Sequence, residues 1–78
     1  HVMHVPGTEK FLLAVPNRGK EELNITIYNN RDVILYSGNE EVSGDFAKIY
    51  NLKGSTGMIT FVITDSHGTV NSLTKKSW

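Results

Sequence analysis

Cysteine is absent from this sequence, so no disulfide can stabilise the fold and no thiolate can bind a metal ion. Histidine is scarce as well, with His1 and His4 at one end of the chain and His67 far along it. A zinc site needs three or four convergent ligands, and the sequence alone brings no such set together. We therefore expect no native metal site and no cofactor.

An excess of positive charge is also missing, because eight Lys and Arg residues balance eight Asp and Glu residues. Proteins that bind nucleic acid or an anionic membrane surface need such an excess. No apolar run approaches the roughly 20 residues that span a bilayer. Neither nucleic acid binding nor membrane insertion is expected, which leaves a protein partner as the interaction to consider.

Helical periodicity is the third absence, and short β-prone segments bounded by turn formers stand in its place. In order they are "KFLLAV", "ELNITIYN", "DVILYS", "FAKIYNL", "GMITFVITD" and "TVNSLTKK". They predict an all-β fold, a small antiparallel β-sandwich of immunoglobulin or fibronectin III type with six to seven strands. Residues 1–9 are expected to form a flexible N-terminal segment or tag remnant, and residues 10–78 the single sandwich domain. The polar residues 39–45 are expected to form a loop or irregular edge.

The core is predicted from strict alternation. Leu23, Ile25 and Ile27 share one face of "ELNITIYN", and polar side chains occupy the other face. Phe61 and Ile63 repeat the same spacing in "GMITFVITD". We expect these five side chains to be buried, because so short a chain must build its core from nearly all of its apolar residues.

The stretch "VITDSHGTV" places Asp65, Ser66 and His67 side by side, which raises the question of a catalytic or metal site. Neighbours on a turn do not converge as the members of a catalytic triad must. Asp at the first position and Gly at the fourth instead suit a hairpin turn, which predicts a positive φ for Gly68. The stretch "NNRD" repeats this arrangement with Asp32 in the fourth position. We assign no catalytic, cofactor-binding or metal residue.

The candidate partner surface consists of Phe11, Leu13, Tyr28 and Tyr36. Phe11 and Leu13 belong to "KFLLAV", which would accept an added strand from a partner if it lay at a sheet edge. Burial between neighbouring strands would explain the same apolar run without a partner. Burial is favoured, so we expect a mostly monomeric protein, with dimerisation through this strand as the alternative. Tyr28 and Tyr36 are expected either to pair across the first hairpin or to contact a partner.

Several motifs together resemble a known group of sequences. They are Pro16-Asn17, the hairpin from Leu23 to Ser37, the segment from Leu52 to Gly57, the run from Met58 to Asp65, and Thr74-Lys75-Lys76 at the end. In this order they are similar to the C-terminal sorting domains of type IX secretion substrates in Bacteroidetes. The same strand order occurs in small secreted Bacteroidetes proteins of uncharacterised function with immunoglobulin- or fibronectin-like sandwiches. The apolar segment 11–15 ahead of Pro16 makes the chain look more like this second group.

The resemblance implies a non-enzymatic exported module, secreted or periplasmic, that acts through protein–protein interaction. A secretion or envelope component would be its partner. The alternative is a C-terminal sorting domain that the secretion machinery recognises. Arg18 stands where the sorting domains carry a second Pro, and Asp32 stands where they carry a hairpin Gly. The gene would separate the two, because a large enzyme or adhesin encoded upstream would indicate sorting.

Overall fold

A computed structural model of the protein describes residues 1–55 and 57–76. Thr56 in the "KGSTG" loop lies outside the described residues, as do Ser77 and Trp78 at the end of the chain. The strands are β1 (Val2–His4), β2 (Lys10–Val15), β3 (Lys20–Tyr28), β4 (Ile34–Ser43), β5 (Phe46–Asn51), β6 (Met58–Thr64) and β7 (Val70–Lys76). No helix within 1–55 and 57–76 has the length and apolarity needed to cross a membrane.

The strands form two antiparallel sheets, which confirms the predicted β-sandwich. One sheet has the order β1-β2-β5 and the other the order β4-β3-β6-β7. The fourth strand pairs with the third, whereas in a constant-type immunoglobulin domain it pairs with the fifth. The sandwich therefore has three strands facing four, in an order that differs from that of a constant-type immunoglobulin domain.

The core lies between the sheets and contains the five side chains predicted from alternation. Leu23, Ile25, Ile27, Phe61 and Ile63 are all buried. The remaining buried apolar side chains are Phe11, Leu13, Val42, Tyr50, Leu52 and Ile59. Burial of Phe11 and Leu13 agrees with the favoured interpretation of "KFLLAV", since β2 is the middle strand of its sheet and pairs on both sides. These two side chains therefore cannot form a partner surface, which corrects that assignment.

Residues 1–9 were expected to be a flexible segment or tag remnant, and the structure places a paired strand in their first part. Val2–His4 forms β1, with Val2 opposite Leu13 and His4 opposite Phe11. The His4 ring also lies 5.0 Å from the Phe11 ring. A three-residue strand has too few positions to show alternation, and β1 forms because β2 offers it an unpaired edge.

Residues 39–45 were expected to form a loop or irregular edge, and the loop part was wrong for residues 39–43, because β4 continues through Ser43 as the edge strand of its sheet. Leu23 lies opposite Glu40, and Glu21 lies opposite Val42. Val42 is the one buried side chain of this half of the strand. A single apolar residue among polar ones gives no alternation signal, although the backbone pairs fully with β3.

Tyr28 and Tyr36 do not pair with each other. Ile27 lies opposite Tyr36, and a register shift after this pair places Tyr28 opposite Ile34. Tyr36 consequently turns inward, where its ring lies 5.0 Å from that of Tyr50, while Tyr28 stays on the outer face. The two rings lie on opposite sides of the sheet because Tyr36 pairs with Ile27, and neighbouring residues of a strand point to opposite faces.

An ion pair covers the open side of the sandwich where β4 faces β5. Lys48 Nζ lies 2.5 Å from Glu40 Oε1, and the ammonium also lies 5.3 Å from the centre of the Tyr50 ring. The hydrogen bond to Glu40 raises the pKa of Lys48. Beneath the pair, the hydroxyl of Tyr50 is buried without a hydrogen-bond partner among the described residues, and this burial raises the pKa of Tyr50.

Candidate functional site

The outer face of the three-stranded sheet carries a row of exposed apolar side chains. Met3 of β1 lies opposite Leu12 of β2, and Leu12 lies opposite Ile49 of β5. Met3 is 43% exposed and Ile49 57% exposed, while Leu12 is half-buried between them. The next cross-strand pair on this face is Ala14 and Ala47, whose small side chains leave the surface beside the row low. We call Met3, Leu12 and Ile49 the apolar row.

The outer face of the four-stranded sheet has the opposite character. The Asn24 amide donates a 2.8 Å hydrogen bond to Asn39, and the hydroxyls of Thr60 and Thr74 lie 3.1 Å apart. The exposed apolar residues Ile34, Met58 and Val70 each stand at the first position of a strand. Polar side chains that bond to one another therefore surround the half-buried Val62 in the middle of this face, whereas exposed apolar side chains occupy the middle of the other.

A second candidate site lies at the β6–β7 turn. Asp65 caps this turn, since its Oδ1 accepts 2.9 Å hydrogen bonds from the backbone N–H groups of His67 and Thr69. The Gly68 N–H donates to the Asp65 carbonyl, and Gly68 has a φ of 82°, which confirms the predicted turn. Turn geometry thus fixes Asp65 and presents His67 to solvent.

Glu21 reaches this turn from the start of β3, 45 residues away in sequence from Ser66. Its Oε1 accepts hydrogen bonds from the backbone N–H and the hydroxyl of Ser66, at 3.0 and 2.6 Å. The hydroxyl bond, and then the N–H bond, hold the pKa of Glu21 below its usual range. His67 Nδ1 lies 3.6 Å from the same carboxylate oxygen. We call Glu21, Asp65 and His67 the turn cluster.

The turn cluster offers three ligand atoms within 4.8 Å of one another. Two of these side chains differ in exposure, since that of Glu21 is only 16% exposed and that of His67 is 82% exposed. An open groove of about 510 Å³ runs beside Glu21 and Ser66, and its lining includes the acidic residues Glu22 and Glu41 together with Lys20. The groove is acidic on balance, so it favours a cation over an anion.

The structure does not bring together the four residues first considered as a partner surface. Phe11 and Leu13 are buried, Tyr36 packs against the core, and Tyr28 alone reaches an outer face. The sequence reasoning also overlooked the apolar row and Glu21. Leu12 and Ile49 alternate with buried neighbours, so the alternation in their strands could have shown that they share an outer face. No residue near Glu21 in the sequence indicates that it reaches the β6–β7 turn.

Comparison of the chain with protein-family models, with curated proteins and with solved structures finds no match in any of the three. The resemblance to exported Bacteroidetes sandwiches and sorting domains stays a prediction. The apolar row and the turn cluster are therefore the two features of this chain that bear on its function.

Proposed function

We propose that this sandwich is a non-enzymatic, exported module, secreted or periplasmic, that binds another protein through the outer face of its three-stranded sheet. The observation that carries the proposal is the apolar row in the middle of that face. The resemblance of the sequence to exported Bacteroidetes proteins supports the location, and an envelope or secretion component is the corresponding partner.

The contrast between the two outer faces supports a specific contact. Apolar side chains are common on protein surfaces, but a contiguous patch in the middle of a sheet marks an interaction site more often than scattered residues do. Full burial of a Met, Leu or Ile side chain contributes roughly 1.5–3 kcal/mol. Met3, Leu12 and Ile49 are already partly buried, so a flat partner that covers them gains part of this contribution, without any rearrangement of the sheet.

The face is a better candidate than the edge of β2. Strand β2 is paired with β5 along its whole length and with β1 over Phe11–Leu13. A dimer built by adding a strand to β2 would have to displace one of these neighbours. We therefore expect a monomer in dilute solution and a heterologous partner on the apolar row.

A sorting domain is the second candidate, and the order of motifs from Pro16-Asn17 to Thr74-Lys75-Lys76 favours it. Against it stands β2, which occupies the middle of a sheet at a position where sorting domains usually carry a linker. Fusion of residues 1–78 to the end of a reporter protein, expressed in a bacterium with a type IX system, tests this alternative. Reporter released into the medium would favour sorting over the proposed binding role.

Site-specific photo-crosslinking in the cells that make the protein tests the proposed surface. A photoreactive residue replaces Ile49 on the apolar row, and the same residue replaces Ser37 on the polar face as the matched control. We expect a defined crosslinked protein outside the cytoplasm from position 49 and none from position 37. The purified partner should then bind wild type at least tenfold more tightly than it binds Ile49→Lys. It should bind Ser37→Lys as tightly as wild type.

Two results would contradict the proposal. One is equal crosslinking from positions 49 and 37, which would show that the apolar row has no special role. The other is a crosslink from position 49 only to a second copy of the chain, because that would make the face a homodimer interface. Sedimentation of wild type and Ile49→Lys would confirm the second result if the substitution converts a dimer to a folded monomer.

A further inference from the structure

We propose that the turn cluster of Glu21, Asp65 and His67 is a binding site for a divalent transition-metal ion such as Zn²⁺. The cluster contains two carboxylates and one imidazole, and their ligand atoms lie within 4.8 Å of one another. This inference replaces the expectation of no metal site, which rested on sequence neighbours alone. It is independent of the apolar row, which lies on the other sheet.

The distances require only a small adjustment. Zinc lies about 2.0–2.2 Å from nitrogen and carboxylate oxygen ligands, so tetrahedral ligand atoms stand about 3.3 Å apart. The widest separation in the cluster thus has to shorten by about 1.5 Å. Rotation of the His67 side chain, which is 82% exposed, adjusts the position of the imidazole, whose Nδ1 already lies 3.6 Å from Glu21 Oε1.

The two carboxylates are already held in place. Ser66 fixes Glu21 through Oε1, and the turn backbone fixes Asp65 through Oδ1. These bonds orient both carboxylates before any ion binds. Only the His67 side chain has to become ordered on binding, which limits the entropic cost of forming the site.

The ligand types select among cations. Calcium prefers six to eight oxygen ligands, whereas a site with one imidazole and two carboxylates suits zinc and similar ions. Water molecules complete the coordination on the exposed side. The nearby carboxylates of Glu22 and Glu41, which line the adjoining groove, make the local field more negative and favour any divalent cation.

Zinc titration of the protein, followed by the NMR signals of the histidine rings and by calorimetry, tests the site. We expect saturable binding of one ion, with the His67 ring as the one whose signals shift. His67→Gln and Glu21→Gln should each weaken zinc binding at least tenfold. Calcium at the same concentration should leave the His67 signals unchanged.

The other hairpin provides a matched control. Arg31 occupies in the β3–β4 turn the position that His67 occupies in the β6–β7 turn. The double variant His67→Gln, Arg31→His moves the imidazole to a turn that Glu21 does not reach, so it should not regain the lost binding. Circular dichroism of each variant establishes that it is folded before zinc is added.

Four results would overturn the proposal. Zinc that shifts only the signals of His1 and His4 would place binding at the start of the chain. Binding that survives His67→Gln unchanged would remove the imidazole from the site. Recovery of binding by Arg31→His would show that a histidine on any such turn suffices, without the carboxylate of Glu21. A complete lack of zinc binding in wild type would equally refute it.

Discussion

The two hairpins of the four-stranded sheet have the same turn built from different residues. In the β3–β4 turn, Asn29 accepts hydrogen bonds through its Oδ1 from the N–H groups of Arg31 and Val33. In the β6–β7 turn, Asp65 does the same for His67 and Thr69. The fourth residue has a positive φ in both turns, 60° at Asp32 and 82° at Gly68. Local side-chain chemistry is therefore sufficient to form this turn twice.

The turns differ in what reaches them from elsewhere in the fold. Glu21 bonds to Ser66 in the β6–β7 turn and lies next to His67. Within the described residues, the side chains of the β3–β4 turn form no such bond to another strand. One turn has thus become the candidate metal site, while its counterpart only reverses the chain. Turn conformation is a local property, and the capacity for chemistry is a tertiary one.

The largest expected effect comes from the strands that lead into the turns. Phe61 lies four residues before Asp65, and Ile25 lies four residues before Asn29; both are fully buried. Phe61→Ala should lower the free energy of unfolding by about 3–5 kcal/mol and Ile25→Ala by about 2–5 kcal/mol, because each leaves a cavity. Urea denaturation measures both losses. A Phe61→Ala variant with the stability of wild type would contradict the shared core position.

The next effect tests the fourth position of the β6–β7 turn. Gly68→Val should lower the free energy of unfolding by about 1–3 kcal/mol, because a β-branched residue is strained at positive φ. Space is not the cause, since no atom lies within 4 Å of the position that a Cβ would occupy. Gly68→Ala serves as the milder control and should cost less. An unchanged urea midpoint for Gly68→Val would be inconsistent with the turn assignment.

Introducing a glycine at the equivalent position of the other turn should stabilise the protein instead. Asp32 has a φ of 60°, where its Cβ is sterically strained and a glycine would not be. Asp32→Gly should therefore raise the free energy of unfolding by about 0.5 kcal/mol, since the relief of strain exceeds the added entropy of the unfolded chain. Thermal unfolding followed by circular dichroism detects the change. A lower midpoint for Asp32→Gly would indicate that the aspartate side chain stabilises the turn in some other way.

The smallest expected effect concerns the bond between Glu21 and the β6–β7 turn. Because folding lowers the pKa of Glu21, its stabilisation is present above the usual glutamate pKa of 4.5 and is lost as pH falls through the lowered value. Thermal midpoints of wild type should therefore fall more between about pH 5 and about pH 2 than those of Ser66→Ala. Asn30→Ala, at the equivalent position of the other turn, should keep the wild-type dependence. Parallel curves for wild type and Ser66→Ala would exclude a contribution from this bond.

The sequence pattern predicted the β-sandwich, the two turns and five core side chains, because alternation and turn residues are local signals. It failed at β1, which is too short to alternate, and over Asn39–Ser43, where polar residues hide a paired strand. It also failed at Tyr36, because the register of β3 and β4 places that ring opposite the buried Ile27 and not opposite Tyr28. Each failure has the same origin, since pairing with a distant strand decided the outcome.

By itself, the sequence determined that Asp65 caps a turn and that Gly68 closes it. These roles depend on side chains and backbone groups within five residues of one another. Only the tertiary structure decided that Glu21 meets this turn and that Met3, Leu12 and Ile49 form a row. Both arrangements join residues from separate strands, and their distances depend on sheet order and register, which are set by the packing of the whole core.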